Sequence, residues 1–176
     1  QERRIGFEEG VRVATNDTIG HIGALIMLMA LSVSVGGVIE RSGIMDSVPH
    51  TFDNIYLAVT ILVCLLVFVG MVMDPFGAVI LVSATVAPVA YNNGIDPIHF
   101  WMIVLTAFEL GYLSPPVALN QLLTRQVVGE KEMDEADAEV RHLSFYYKYE
   151  RWLLPLIVMV PVLIVVAYVP VFFYAK

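Results

Sequence analysis

The chain has 176 residues, of which 58% are hydrophobic and 15% are charged, and its formal net charge is −7. Soluble domains are typically about 45–50% apolar and about 25% charged. The composition, with a mean hydropathy of +0.75, therefore indicates an integral membrane protein and excludes an ordinary soluble domain. The acidic balance gives no support for a nucleic-acid partner.

The first predicted segment, residues 1–18, is polar with a few scattered apolar residues, and we expect a cytoplasmic linker or surface helix there. The chain begins with Gln1 instead of Met, so we expect it to be a piece of a longer protein. Asn16-Asp17-Thr18 is typical of a helix N-cap. The apolar run 19–39 that follows is long enough to cross a bilayer.

A polar link, residues 40–54, leads to a second apolar region at 55–91, whose two arms are joined by the sequence DPFG at 74–77. Two full membrane spans fit this length. A carboxylate, a proline and a glycine between apolar arms instead favour the tip of a re-entrant helical hairpin. Non-helical backbone at membrane depth is tolerated only where it is buried in protein or lines a wet cavity.

The third apolar region, residues 98–128, follows a turn at 92–97 and is interrupted by the sequence GYLSPP at 111–116. Consecutive prolines remove backbone donors and clash with the preceding helical turn. We therefore predict a broken transmembrane helix. Glu109 lies just before the break, where a carboxylate can bind a cation, relay a proton or hydrogen-bond a helix end.

The last part of the predicted membrane domain 19–176 consists of a charged segment, residues 129–151, and an apolar span, residues 152–174, with aromatic residues at both ends. The charged segment is expected to be an exposed cytoplasmic loop or surface helix.

Orientation follows from the distribution of Lys and Arg, which are concentrated in residues 1–18 and 124–151 and nearly absent from residues 40–54 and 92–98. Positively charged loops stay on the cytoplasmic side. We therefore expect Arg141 and Lys148 to be cytoplasmic and Asn93 to be external.

The two interruptions carry the predicted chemistry, because a hairpin followed by a broken helix is a recurrent device of secondary transporters. Unwound backbone exposes carbonyls that bind Na⁺, and half-helix N-termini attract anionic substrates. The predicted Na⁺ ligands are Gly70, Gly111, Leu113 and Ser114, and the predicted substrate-binding residues are Asp74, Pro75, Gly77, Ser114, Pro115, Pro116 and Asn120. The alternative is that the prolines only kink the helices and that Asp74 only caps one.

Motifs of enzyme chemistry are not found in the sequence. It contains no GxSxG, P-loop or HExxH pattern, so we predict neither a hydrolase nor ATP hydrolysis by this chain. An intramembrane enzyme is disfavoured because no paired nucleophile and base stand out. Cys64 is the only cysteine, and its apolar neighbours predict a small buried side chain.

Residues 70–129 resemble the C-terminal half of the large permease subunit of TRAP (tripartite ATP-independent periplasmic, DctM-like) transporters. The resemblance lies in Asp74, Pro88, the sequence GIDPIHF at 94–100 and the sequence SPP at 114–116. It extends less distinctly over residues 10–176. Ala118 stands where Gly is usual in the family, and the loop at 130–148 is longer than typical.

This resemblance implies the second of two inverted repeats of an elevator-type, all-α transporter in the bacterial inner membrane. Its implied activity is Na⁺-coupled uptake of organic anions, such as C4-dicarboxylates. The implied partners are a small membrane subunit and a periplasmic solute-binding protein. The alternative interpretation is a structural or scaffold membrane subunit without a solute site of its own.

Overall fold

A computed structural model describes residues 6–43, 51–140 and 142–174, except the side chains of Asp17 and His21. Parts of the predicted segments 1–18, 40–54 and 129–151 fall outside these residues, and so does Arg141. Seven helices account for nearly all of the described residues: α1 (Phe7–Arg41), α2 (Ile55–Val72), α3 (Pro75–Asn92), α4 (Pro97–Leu113), α5 (Leu119–Val128), α6 (Glu130–Val140) and α7 (Phe145–Tyr174). The all-α prediction is confirmed.

Four of the described helices, α1, α2, α3 and α7, are long and apolar enough to cross a membrane. The 18 residues of α2 and of α3 correspond to about 27 Å at about 1.5 Å per residue, which is close to the thickness of a bilayer core. The 17-residue helix α4 is slightly shorter. These features identify a helical membrane protein.

Helix α1 is longer than the sequence predicts, because it begins at Phe7 and continues without interruption to Arg41. The predicted N-cap at Asn16-Asp17-Thr18 is wrong. Gly6 takes the N-cap position, and the Thr18 hydroxyl donates a hydrogen bond to the Ala14 carbonyl inside the helix. Residues 7–18 contain no proline, so nothing in their backbone prevents the helix from extending, and α1 reaches about 52 Å.

The packing centres on α4, which lies between α2 and α7, while α1 packs mainly against α3. Phe100, Ile103 and Val104 of α4 and Leu62 and Leu66 of α2 are buried in one continuous apolar core. The outer surfaces of α1 and α7 instead expose many large apolar side chains, as a lipid-facing helix does.

Cys64 differs from its prediction, since it is exposed. It lines an open apolar groove between α2, α4 and α7, in which the hydroxyls of Thr60 and Tyr168 are hydrogen-bonded at 2.7 Å. The sequence did not reveal this exposure because the residues directly beside Cys64 are apolar, whether they face protein or the groove.

The predicted charged segment 129–151 contains α6 and the first two turns of α7. No residue of α6 is buried. Helix α7 continues through three prolines, Pro155, Pro161 and Pro170, so its apolar part is the continuation of a helix that starts at Phe145.

Candidate functional site

The junction between α2 and α3 is capped by Asp74, whose side chain is only 6% exposed. Its carboxylate accepts hydrogen bonds from the backbone N–H groups of Phe76, at 3.2 Å, and Gly77, at 3.4 Å. Pro75 takes the first position of α3, where its missing N–H costs nothing. The sequence-predicted residues Asp74, Pro75 and Gly77 therefore build the start of α3, with Asp74 as its N-cap.

The break between α4 and α5 lies at residues 114–118, around the two prolines. Ser114 is 6% exposed, and its hydroxyl donates a hydrogen bond to the Leu110 carbonyl at 2.6 Å. Ala118 has the left-handed backbone angles φ 47° and ψ 58°, a conformation that costs an L-residue roughly 1–2 kcal/mol. This strain explains why glycine is the better residue at that point.

The two interruptions are brought together by a backbone crossing of α2 and α4. A Cβ atom added to Gly111 would lie 2.6 Å from the carbonyl carbon of Gly70 and 2.8 Å from its Cα. Only glycine permits such an approach. The C-terminal ends of α2 and α4 therefore touch backbone to backbone at two of the predicted Na⁺ ligands.

Several carbonyls at this crossing have no backbone N–H partner among the described residues: those of Gly70, Met71, Val72, Tyr112 and Leu113. In a continuous helix each carbonyl accepts from the N–H four residues later. That residue is Pro75 for the Met71 carbonyl and Pro116 for the Tyr112 carbonyl, and a proline has no N–H to donate. Helix C-termini also carry the negative end of the helix dipole. The crossing thus combines two negative helix ends with free oxygen ligands, an arrangement that attracts a cation.

Tyr112 is a residue of this site that the sequence did not single out. Its hydroxyl is the one buried side-chain polar atom without a hydrogen-bond partner in the described part of the chain. The carboxylates of Asp74 and Glu109 lie within electrostatic range of it. A buried hydroxyl without a partner is costly, so Tyr112 becomes a candidate residue of this site. Only the three-dimensional packing reveals the missing partner.

Glu109 and Asn120 lie on opposite sides of the break and are joined by a hydrogen bond. The side-chain amide nitrogen of Asn120 donates to a carboxylate oxygen of Glu109 at 2.9 Å. Helices α4 and α5 are therefore linked by side chains across the interruption. This bond gives Glu109 a partner, which the sequence alone did not supply.

Comparison with known proteins adds the family. Residues 1–172 match the model of the DctM component of the tripartite ATP-independent periplasmic transporters. The chain belongs to this family. It is accordingly a part of a TRAP large permease, and this family consists of transporter subunits, not enzymes.

Named relatives of this TRAP permease chain differ in the solute for which they are named. The sialic acid TRAP transporter large permease protein SiaM of Vibrio cholerae is 28% identical over 95% of this chain and 35% of its own length. The isethionate TRAP transporter permease protein DctMQ of Oleidesulfovibrio alaskensis is 26% identical over 88% of this chain and 23% of its own length. The C4-dicarboxylate permease DctM of Vibrio cholerae is 31% identical over 57% of this chain and 19% of its own length.

The chain thus spans about a fifth to a third of the relatives it matches. No solved structure gives a significant match.

Proposed function

We propose that this chain forms the C-terminal inverted repeat of an elevator-type TRAP permease that couples organic-anion uptake to Na⁺ across the bacterial inner membrane. A periplasmic solute-binding protein delivers the anion, and a small membrane subunit completes the assembly. The observation that carries the proposal is the crossing at Gly70 and Gly111, where two helix ends with carbonyls that lack backbone partners lie in backbone contact.

The Na⁺ ion is assigned to the carbonyls of Gly70, Gly111 and Leu113 and to the hydroxyl of Ser114. Hard cations prefer oxygen ligands. The Ser114 hydroxyl uses its hydrogen to bond the Leu110 carbonyl, so its oxygen lone pairs remain available to the ion. The Gly111 carbonyl accepts from Ser114 N–H at 3.0 Å and has a second lone pair for the cation.

The anionic substrate is assigned to the N-terminus of α5. Ala118 provides no side-chain cap there, and the N–H groups of Leu119 and Asn120 have no backbone partner among the described residues. Free N–H groups at a helix N-terminus bind anions. Pro115, Pro116 and Asn120 lie at this end. Asp74, Pro75 and Gly77 form the start of α3, which Asp74 already caps.

A membrane-embedded hairpin tip is supported by its contacts with α1. A Cβ added to Gly77 would lie 2.5 Å from the Ser32 hydroxyl oxygen, and one added to Gly36 would lie 3.5 Å from the Met73 methyl carbon. Ser32 and Gly36 belong to the apolar stretch 19–39. The tip therefore lies beside the apolar part of α1, as a re-entrant hairpin does.

The organic-anion class is supported by the solutes in the relatives' names. Isethionate, C4-dicarboxylates and sialic acid are all organic acids that are anionic at neutral pH. Their carboxylate or sulfonate group suits the uncapped end of α5. A C4-dicarboxylate remains our default substrate within this class.

The test uses the full-length permease with its partner subunits in proteoliposomes, where solute uptake is measured against Na⁺ concentration. Ser114→Ala removes one oxygen ligand, so we expect the Na⁺ concentration for half-maximal uptake to rise several-fold. Replacing Pro115 and Pro116 by Ala allows the helix to close and should reduce uptake more severely.

Two control variants sharpen this test. Ser114→Thr retains the hydroxyl and should keep Na⁺ dependence near that of the wild type. Ser83→Ala removes a comparable hydroxyl, which donates to the Val79 carbonyl at 2.6 Å in α3, and should change nothing. Wild-type Na⁺ dependence and rate in both Ser114→Ala and the proline variant would refute the cation site and favour the scaffold alternative.

A further inference from the structure

Helix α7 contains prolines whose missing N–H groups each release one carbonyl four residues earlier. Pro170 releases the Val166 carbonyl, and Pro155 releases the Arg151 carbonyl. The Val166 carbonyl lies in the apolar part of α7, where a released carbonyl must find another donor. The Arg151 carbonyl lies at the end of the charged segment 129–151. Both of these carbonyls find one, and in each case the donor is a side chain of a different helix.

His99 of α4 supplies the first donor. Its ring nitrogens lie 2.8 Å from the Val166 carbonyl oxygen, through Nε2, and 2.6 Å from the Tyr174 hydroxyl, through Nδ1. A carbonyl only accepts, so Nε2 carries the hydrogen. In the neutral ring Nδ1 then accepts, and the Tyr174 hydroxyl donates. Buried His99 is thereby fully satisfied, and both of its partners lie on α7.

Gln121 of α5 supplies the second donor. Its amide nitrogen donates to the Arg151 carbonyl at 3.1 Å. Pro161 is the exception, because the Ile157 carbonyl that it releases meets no side-chain donor in the described part of the chain. Among the described residues, side-chain donors from other helices therefore reach the carbonyls released by Pro155 and Pro170, near the ends of α7, but not the one released by Pro161.

The two contacts lie on opposite sides of the break at 114–118. His99 is in the first turn of α4, and Gln121 is in the first turn of α5. Their acceptors are separated by about 22 Å along α7, whereas one unbroken helix from His99 to Gln121 would extend about 33 Å. A straight, continuous helix alongside α7 cannot satisfy both contacts, but a broken one can.

We propose that α7 keeps α4 and α5 from joining into one continuous helix. It does so through the two carbonyls released by Pro170 and Pro155. His99 and Gln121 are the positioning residues that dock the two half-helices on these carbonyls. The docking itself does not depend on the transported solute. Its consequence for uptake rests on the proposed function of the break.

The test is a pair of double-mutant cycles, measured by thermal unfolding of the full-length permease. His99→Leu removes the hydrogen bonds to the Val166 carbonyl and to the Tyr174 hydroxyl, and it should shift the unfolding equilibrium about tenfold or more toward the unfolded state. The substitution Pro170→Ala restores a backbone N–H at this position, which bonds the Val166 carbonyl within α7. In that background His99→Leu should then have a smaller effect, because only the loss of the hydrogen bond to the Tyr174 hydroxyl remains uncompensated.

Gln121→Glu should destabilise the protein, because a carboxylate cannot donate to the Arg151 carbonyl. In a Pro155→Ala background this effect should be smaller, because the restored backbone N–H bonds the Arg151 carbonyl. The crossed combinations are the matched controls. Pro170→Ala should not alter the effect of Gln121→Glu, and Pro155→Ala should not alter the effect of His99→Leu. Pro161→Ala should alter neither. The proposal would be overturned if His99→Leu destabilised the protein equally in the wild-type and Pro170→Ala backgrounds. The same holds if Gln121→Glu destabilised it equally in the wild-type and Pro155→Ala backgrounds.

If the proline variants fail to assemble, His99→Gln decides the question in the wild-type background. Its amide can donate to the Val166 carbonyl, so it should stay closer to wild type than His99→Leu, and equal loss in both would overturn the proposal. Na⁺-dependent uptake is measured in parallel. One further outcome separates the two proposals. If the unfolding data show that the effect of His99→Leu depends on Pro170, but His99→Leu leaves the Na⁺ dependence of uptake unchanged, the docking proposal stands. The proposed role of the break as the cation site would then be contradicted.

Discussion

At the scale of single residues, the crossing of α2 and α4 depends on the absence of a side chain at Gly111. We predict that Gly111→Ala destabilises the protein by about 1–3 kcal/mol, since the added methyl group has only the backbone of Gly70 and Met71 to displace. It should also abolish most uptake, because the two carbonyl-bearing helix ends move apart. Thermal unfolding and solute uptake of the full-length permease measure these effects.

The matched control for this prediction is Gly23→Ala in α1, where an added Cβ meets nothing within 4 Å. Alanine favours a helix over glycine, so this variant should be as stable as the wild type or slightly more stable. Similar losses in both variants would show that the Gly70–Gly111 contact has no special role.

At the scale of the elements, a cluster of ion pairs ties the surface helix α6 to its neighbours. Arg125 of α5 lies 3.5 Å from a carboxylate oxygen of Asp134 and 3.7 Å from one of Asp137, and Asp137 also pairs with Arg151 of α7. These groups are partly exposed, and each such pair is worth about 0.2–1 kcal/mol. The position of α6 should therefore be weakly held and sensitive to salt.

We predict that Asp137→Asn increases proteolysis and amide hydrogen exchange in residues 130–140 by about twofold to fivefold, since it weakens the pairs with two arginines. High salt should reproduce part of this change in the wild type. Glu139→Gln is the control, because Glu139 has no ion-pair partner among the described residues. If it loosened α6 as much as Asp137→Asn does, a general charge effect would explain the result.

The sequence predicted individual elements better than it predicted their contacts. The break at 114–118 and the capped junction at Asp74 were predictable because Pro, Gly and Asp act on their immediate neighbours. The close contact of Gly70 with Gly111 was not predictable, because these residues are far apart in the sequence. The unpaired hydroxyl of Tyr112 was not predictable either, because it depends on the packing around it. The start of α1 was misplaced because polarity marks the membrane boundary but not the end of a helix.

At the scale of the whole molecule, the helix directions predict two surfaces on opposite sides of the membrane. Helices α4 and α7 run antiparallel, with His99 of α4 docked on Val166 of α7. The turn between α3 and α4 should therefore be external, and the region around Lys148 should be cytoplasmic, as the distribution of positive charge predicts.

We predict that Asn92→Cys is labelled by an impermeant maleimide from outside the cell and that Lys148→Cys is labelled only after the membrane is opened. Asn92 is preferable to its neighbour Asn93, whose side chain accepts from Phe52 N–H and donates to the Val89 carbonyl. Cys64 is exposed and should first be replaced by Ala. Labelling of both positions from the same side would contradict this topology.

The unbroken course of α1 has a mechanical consequence. Its apolar residues 19–39 extend about 31 Å, which matches the hydrocarbon thickness, so residues 7–18 project about 18 Å beyond it without a requirement for tilt. The same helix contacts the start of α3, where Gly77 lies against Ser32. Under the proposed function, we expect a displacement of this tip during transport to be transmitted along α1 to Glu8, Glu9 and Arg12, which lie beyond the apolar stretch 19–39.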